Sequence, residues 1–221
     1  MRQDYASPNY NSRDGVAPDM LVLHYTGMKN CGDALEKLCD PEAEVSAHYL
    51  IDEDGTVYQL VDEAARAWHA GVASWRGGSN INSRSIGIEL VNPGHEFGYR
   101  AFPEAQMQAL MPLCRDIVAR HAIAARNVVG HSDVAPLRKT DPGELFDWAR
   151  LAAEGIGLWP DMTADPCDAA AAPALLTEIG YDTADETAAL TAFQRHFAPH
   201  RLDGEPDRET LRALAAVHAL I

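Results

Sequence analysis

The hydrophobic pattern alternates between short two-faced runs and longer helical stripes. "DMLVLHYTG" (19–27) reads as a strand that is apolar on both faces and becomes polar at His24. "HYLIDEDGTVYQLVD" (48–62) predicts a hairpin, with Asp54-Gly55 as the turn between two β-rich runs. In "SIGIELVN" (85–92), Ile86, Ile88 and Leu90 share one face while Gly87 and Glu89 take the other. "NVVGHSDV" (127–134) supplies a short last strand ending at His131.

Helices are predicted between these strands. "DALEKLC" (33–39) has Asp33 as its N-cap. "FPEAQMQALMPLCRDIVARH" (102–121) lines up Met107, Leu110, Met111, Cys114, Ile117 and Val118, with a kink or break expected at Pro112. "GELFDWARL" (143–151) reads as a shorter helix. The predicted fold is α/β, a mixed central sheet flanked by helices.

Beyond residue 159 the pattern changes. "PDMTADPCDAAAAP" (160–173) has no apolar period and reads as a linker. Three helices follow in 174–221, one stopped by Gly180 and two capped by Asp185 and Asp207. The expected organisation is a 1–159 domain, a linker, and a small three-helix domain that leans on the first.

Composition narrows the function. The 221 residues carry a formal charge of −15, which argues against nucleic-acid partners. No apolar run approaches the roughly eighteen residues needed to cross a bilayer. The N-terminus shows no apolar signal region, so the expectation is a cytoplasmic protein, or a periplasmic one if a signal has been removed. The four cysteines form no CxxC pair and no disulfide framework, and most are expected to be small buried hydrophobes.

Five polar residues sit at strand ends or in the loop "GHSDVAPLRKTDPG" (130–143): His24, Glu89, His131, Lys139 and Asp141. Two imidazoles and a carboxylate can fill three positions around Zn2+ and leave a fourth for water. Glu89, a carboxylate on a central strand, needs a partner or a role, and general base is one. A lysine cation nearby could stabilise an oxyanion. Each residue alone also fits an ordinary surface or core position, and spacing does not decide between the two readings.

Four motifs in order carry a resemblance. "HYTG", "SAHYLIDEDGTVYQLVDEAARAWHAG", "NSRSIGIELVN" and "GHSDVAPLRKTDPG" resemble the zinc-dependent N-acetylmuramoyl-L-alanine amidases, the type-2 group related to peptidoglycan recognition proteins. The likeness spans about residues 18–151. It implies His24, His131 and Asp141 as zinc ligands, Glu89 as the catalytic acid-base, and Lys139 as the transition-state cation. It also implies cleavage of the amide between N-acetylmuramic acid, including its 1,6-anhydro form, and L-alanine in muropeptides. A non-catalytic muropeptide-binding protein is the alternative.

"AWHAGVASWRG" (67–77) resembles the substrate-side loop, making His69 and Trp75 candidates for the groove. Asn80 stands where relatives often carry an arginine, and Arg76 or Arg84 are the candidates to replace it. The tail, with "LTAFQRHF" and "RLDGEPDRETLRAL", resembles a peptidoglycan-binding three-helix domain, although Asp207 replaces a common glycine. Glycan binding and simple packing are both open for it.

Overall fold

The structure is a computed structural model and describes all residues, 1–221. Its strands are β1 (Tyr10–Ser12), β2 (Met20–Tyr25), β3 (Tyr49–Ile51), β4 (Val57–Gln59), β5 (Ala65–Ala67), β6 (Ser85–Leu90) and β7 (Val128–Gly130). The helices are α1 (Cys31–Cys39), α2 (Ile81–Arg84), α3 (Gly94–Phe97), α4 (Glu104–His121), α5 (His131–Val134), α6 (Trp148–Ala153), α7 (Ala172–Ile179), α8 (Glu186–Phe197) and α9 (Arg208–His218). The main sheet runs β4-β3-β6-β2-β7, parallel except for the β3–β4 hairpin; β1 and β5 form a separate antiparallel pair. The predicted mixed sheet and hairpin are thus present, and Gly55 turns the hairpin at a positive φ of 86°.

Alternation along the central strands decides what each face buries. Leu21, Leu23, Ile86, Ile88 and Leu90 pack with Met107, Leu110, Cys114 and Ile117 of α4 and with Trp148 and Leu151 of α6. Met20 and Val22 point the other way, into a second cluster with Val129, Val134 and Trp75. That cluster continues without a gap into the tail through Leu176, Ile179, Tyr181, Phe193, Leu214 and Val217. The tail helices therefore share a core with the sheet. Parts of the 160–173 segment dock as well, with the Cys167 amide donating to the Leu211 carbonyl over 3.3 Å.

Several expected boundaries move. Asn30 caps α1, since its Oδ1 accepts from the Asp33 amide over 2.9 Å, and the helix starts at Cys31. α4 runs unbroken through Pro112. That proline and Gln108, whose carbonyl loses its partner, are both on the exposed face, where water can replace the bond. The helix expected from 143 begins only at Trp148, capped by Asp147. The preceding residues are held as a turn by Tyr99, whose hydroxyl donates to the Pro142 carbonyl (2.8 Å) and accepts from the Leu145 amide (3.0 Å). His131 opens α5 rather than ending β7. Of the cysteines, Cys114 alone is fully buried; Cys31, Cys39 and Cys167 are half-buried, and all four are free thiols. The caps at Asp185 and Asp207 and the stop at Gly180 are as expected.

Ile88 is fully buried at the centre of the β6–α4 contact. Ile88→Ala should cost about 2–5 kcal/mol of stability, read from the urea midpoint; a smaller loss would mean that α4 collapses onto the gap.

Candidate active site

Parallel pairing sets the site at the carboxyl ends of the middle strands. His24 on β2 is the register partner of Glu89 on β6, so the two side chains stand side by side on the same face. β7 pairs with the other edge of β2, which brings the next residue, His131, alongside. The loop after α5 then folds back: the Ser132 amide donates to the Asp141 carbonyl over 2.9 Å. Three side chains from three segments meet as a result. His24 Nδ1 and His131 Nδ1 are 2.9 Å apart, and Asp141 Oδ2 lies 3.0 Å from each. All three residues are buried.

The hydrogen bonds behind this triangle fix the imidazole protons. The Ser85 hydroxyl donates to the Ile81 carbonyl (2.6 Å), so its oxygen accepts the Nε2 proton of His69 (3.1 Å). His69 Nδ1 must then accept from His24 Nε2 (3.0 Å), leaving the His24 Nδ1 lone pair free. His131 Nε2 donates to the Ala70 carbonyl (3.0 Å), leaving its Nδ1 lone pair free as well. Two lone pairs 2.9 Å apart, with a carboxylate oxygen beside both, repel one another unless a cation sits among them. The donor set fits a divalent metal ion, and its spacing suits three bonds of about 2 Å to one centre.

Burial and neighbouring charge support this electrostatics. Burial and the adjacent His131 push His24 down to about 4, only partly offset by Asp141, so it is neutral and able to donate its lone pair. Burial lifts Glu89 to about 8, helped by the charge of Asp141 and opposed by Lys139. Glu89 Oε2 is shielded from solvent and has no hydrogen-bond partner. No protein group satisfies this oxygen, so the carboxyl is available to exchange a proton with a molecule held in the cleft.

A cleft of about 420 Å³ opens over this centre and includes Glu89, His131, Lys139 and Asp141 in its walls. Of the residues expected at the groove, His69 is there, behind His24 and under the cleft. Trp75 is not: it is 2% exposed and meets Tyr181 edge to face at 5.1 Å, inside the core shared with the tail. Arg76 points at Asn127, its NH1 3.4 Å from the Asn127 Oδ1, and Arg84 is paired with Asp19 at 2.5 Å; neither lines the cleft. Trp68, Lys37 and Arg138 do line it. Arg66 lines an adjoining cleft, its guanidinium donating to Asn80 Oδ1 over 3.2 Å. Trp68 stands next to His69 in the quoted motif, and no local signal separates it from Trp75, which the distant Tyr181 draws into the core. Nothing in the sequence pattern distinguishes Arg138 from its neighbour Lys139.

Residues 14–144 match the family model described as N-acetylmuramoyl-L-alanine amidase. The chain belongs to the N-acetylmuramoyl-L-alanine amidase family. Relatives agree: it is 40% identical to the N-acetylmuramoyl-L-alanine amidase AmiD of Escherichia coli, over 86% of this chain and 79% of that one. It is 39% identical to the E. coli 1,6-anhydro-N-acetylmuramyl-L-alanine amidase AmpD, over 66% of this chain and 87% of that one. Among solved structures, E. coli AmiD bound to anhydro-N-acetylmuramic acid-L-Ala-D-γ-Glu-L-Lys superposes with a TM-score of 0.83 and 37% identity, covering 100% of this chain and 93% of that one. AmpDh3 of Pseudomonas aeruginosa, in complex with anhydromuramic pentapeptide, gives 0.84 at 32% identity, covering 100% and 97%. Membership in a hydrolase family favours the catalytic reading of the cleft over a purely binding one.

For this amidase, Gly87 leaves the space on β6 into which the His69 ring packs. A Cβ at Gly87 would lie 2.5 Å from the His69 ring, so Gly87→Ala must displace that imidazole and loosen its hold on His24. Activity is expected to fall about 10- to 100-fold in the purified variant; wild-type turnover would mean that His69 does not orient His24.

Proposed function

We propose that the amidase hydrolyses the amide between N-acetylmuramic acid, including its 1,6-anhydro form, and the L-alanine of the stem peptide, with His24, His131 and Asp141 holding Zn2+. The observation that carries this reading is the convergence of the three donors at 2.9–3.0 Å beside the unpartnered Glu89 oxygen. A zinc ion held there would supply a Lewis acid and make water acidic enough to be a nucleophile near neutral pH.

The chain's own residues do the rest. Glu89 receives the proton of the attacking water and hands it to the amine of L-alanine as the C–N bond breaks, so one carboxylate serves as base and then as acid. Its raised affinity for protons suits the second half of that cycle. Lys139 faces the same cleft and offers an ammonium to the oxygen that gains charge when the carbonyl is attacked. His69 and Ser85 keep the His24 proton on the far nitrogen, and the Ala70 carbonyl does the same for His131. Trp68 offers an apolar wall, while Lys37 and Arg138 give cations to an acidic stem peptide in a protein of net charge −15.

The substrates are muropeptides, and the bound molecules named for the AmiD and AmpDh3 structures support the anhydro form among them. We place the work in peptidoglycan recycling or turnover. No helix is long and apolar enough to cross a membrane. Action in the cytoplasm is the proposal, with the periplasm as the alternative, and cell fractionation distinguishes the two.

Mass spectrometry of anhydro and reducing muropeptides, incubated with and without chelator, should find free stem peptide only when zinc is present. Intact substrate in both arms would refute the hydrolysis. Glu89→Gln is expected to keep zinc at one ion per chain and lose about 10²- to 10⁴-fold in turnover. Asp141→Ala should lose the metal itself, measured by elemental analysis after dialysis; full retention would overturn that ligand assignment.

A further inference from the structure

The short helix α5 begins with His131 and carries, two residues on, the fully buried carboxylate of Asp133. That carboxylate is distributed over two parts of the chain. Oδ2 accepts from the Gly130 amide over 2.7 Å, closing the turn that leads into His131. Its other two bonds come from the tail: the Tyr181 hydroxyl donates to Oδ1 over 2.7 Å, and His196 Nδ1 donates to Oδ2 over 2.7 Å.

The tail side of this contact is itself tightly fixed. The His196 ring stacks between Trp148, at 3.8 Å and 18°, and Phe197, at 3.8 Å and 10°. Its Nε2 is buried without a partner, so the ring is anchored by stacking and by Asp133 alone. Tyr181 is held edge-on to Trp75 and Phe193. Burial and the Asp133 carboxylate push its phenol well above the ordinary value, so it remains a donor. Tyr181 and His196 are the only side chains that bond to Asp133, and without them the buried carboxylate would keep only the Gly130 amide and be free to reorient.

We propose that Tyr181 and His196 of the C-terminal helical unit are positioning residues for the metal centre, fixing the His131 segment through Asp133. On this account the tail is part of the catalytic apparatus, whatever else its surface meets. The inference rests on the ligand reading above, since it is His131 whose placement is at issue. It distinguishes anchoring from plain packing: packing predicts a change in stability only, whereas anchoring predicts a change in metal affinity in a folded protein.

The test uses the full-length chain. Tyr181→Phe removes one donor and keeps the ring; His196→Leu removes the other and keeps comparable volume; His196→Asn restores a donor near the Nδ1 position. Zinc affinity is measured by competition with a chromophoric chelator, well below the unfolding temperature of the metal-free forms, with circular dichroism confirming the fold. Tyr181→Phe is expected to weaken zinc binding about tenfold, and Tyr181→Phe/His196→Leu up to about a hundredfold. At saturating zinc kcat should fall with KM little changed, and His196→Asn should recover most of the affinity lost in His196→Leu. If the double variant does not fold, Tyr181→Phe alone decides. Wild-type zinc affinity in a folded Tyr181→Phe protein, while Asp141→Ala loses its metal, overturns this inference alone. Zinc retained by Asp141→Ala takes the ligand reading down with it.

Discussion

Parallel pairing of β2 with both β6 and β7 is the constraint on which the site depends. Register fixes His24 opposite Glu89 on one side, and the end of β7 places His131 on the other. A slip of one residue would turn either side chain to the opposite face. What prevents the slip is the two-sided burial of these strands: Leu21 and Leu23 are committed to α4's side, Met20 and Val22 to the tail's. The chemistry thus inherits its precision from apolar residues that never touch substrate.

The second layer is polar and equally specific. Ser85, His69 and the Ala70 carbonyl set which nitrogen of each histidine is bare, and the sheet provides room for this through the missing side chain of Gly87. Glu89, left with an unsatisfied shielded oxygen, is the complementary half: a group whose desolvation is tolerated because the cleft gives it work. In a protein of net charge −15, the cleft wall brings Lys37, Arg138 and Lys139 together with Glu89 and Asp141, so it is less acidic than the chain as a whole.

The sequence made strands, hairpin and tail helices legible because their period-2 and period-3.6 patterns and their caps are local. The five polar residues His24, Glu89, His131, Lys139 and Asp141 were visible as candidates at strand ends, within a central strand and in one loop. Only the resemblance of four ordered motifs singled them out from ordinary surface or core positions. What the sequence did not expose were long-range choices. Trp75 and Trp68 read alike in their motif, and only Tyr181, far along the chain, claims Trp75 for the core. Arg76 and Arg84 looked equally available until Asn127 and Asp19 took them. The delayed start of α6 has the same origin: Tyr99 holds residues that would otherwise be free to coil.

The continuous cluster beneath the tail bears on how the molecule is made. A ribosome delivers the sheet before α7, α8 and α9, so Met20, Val22, Trp75 and Val129 stay uncovered until those helices are synthesised. During that interval the nascent chain presents an apolar surface open to wrong contacts. Arrival of the three tail helices, rather than formation of the sheet, ends that vulnerability.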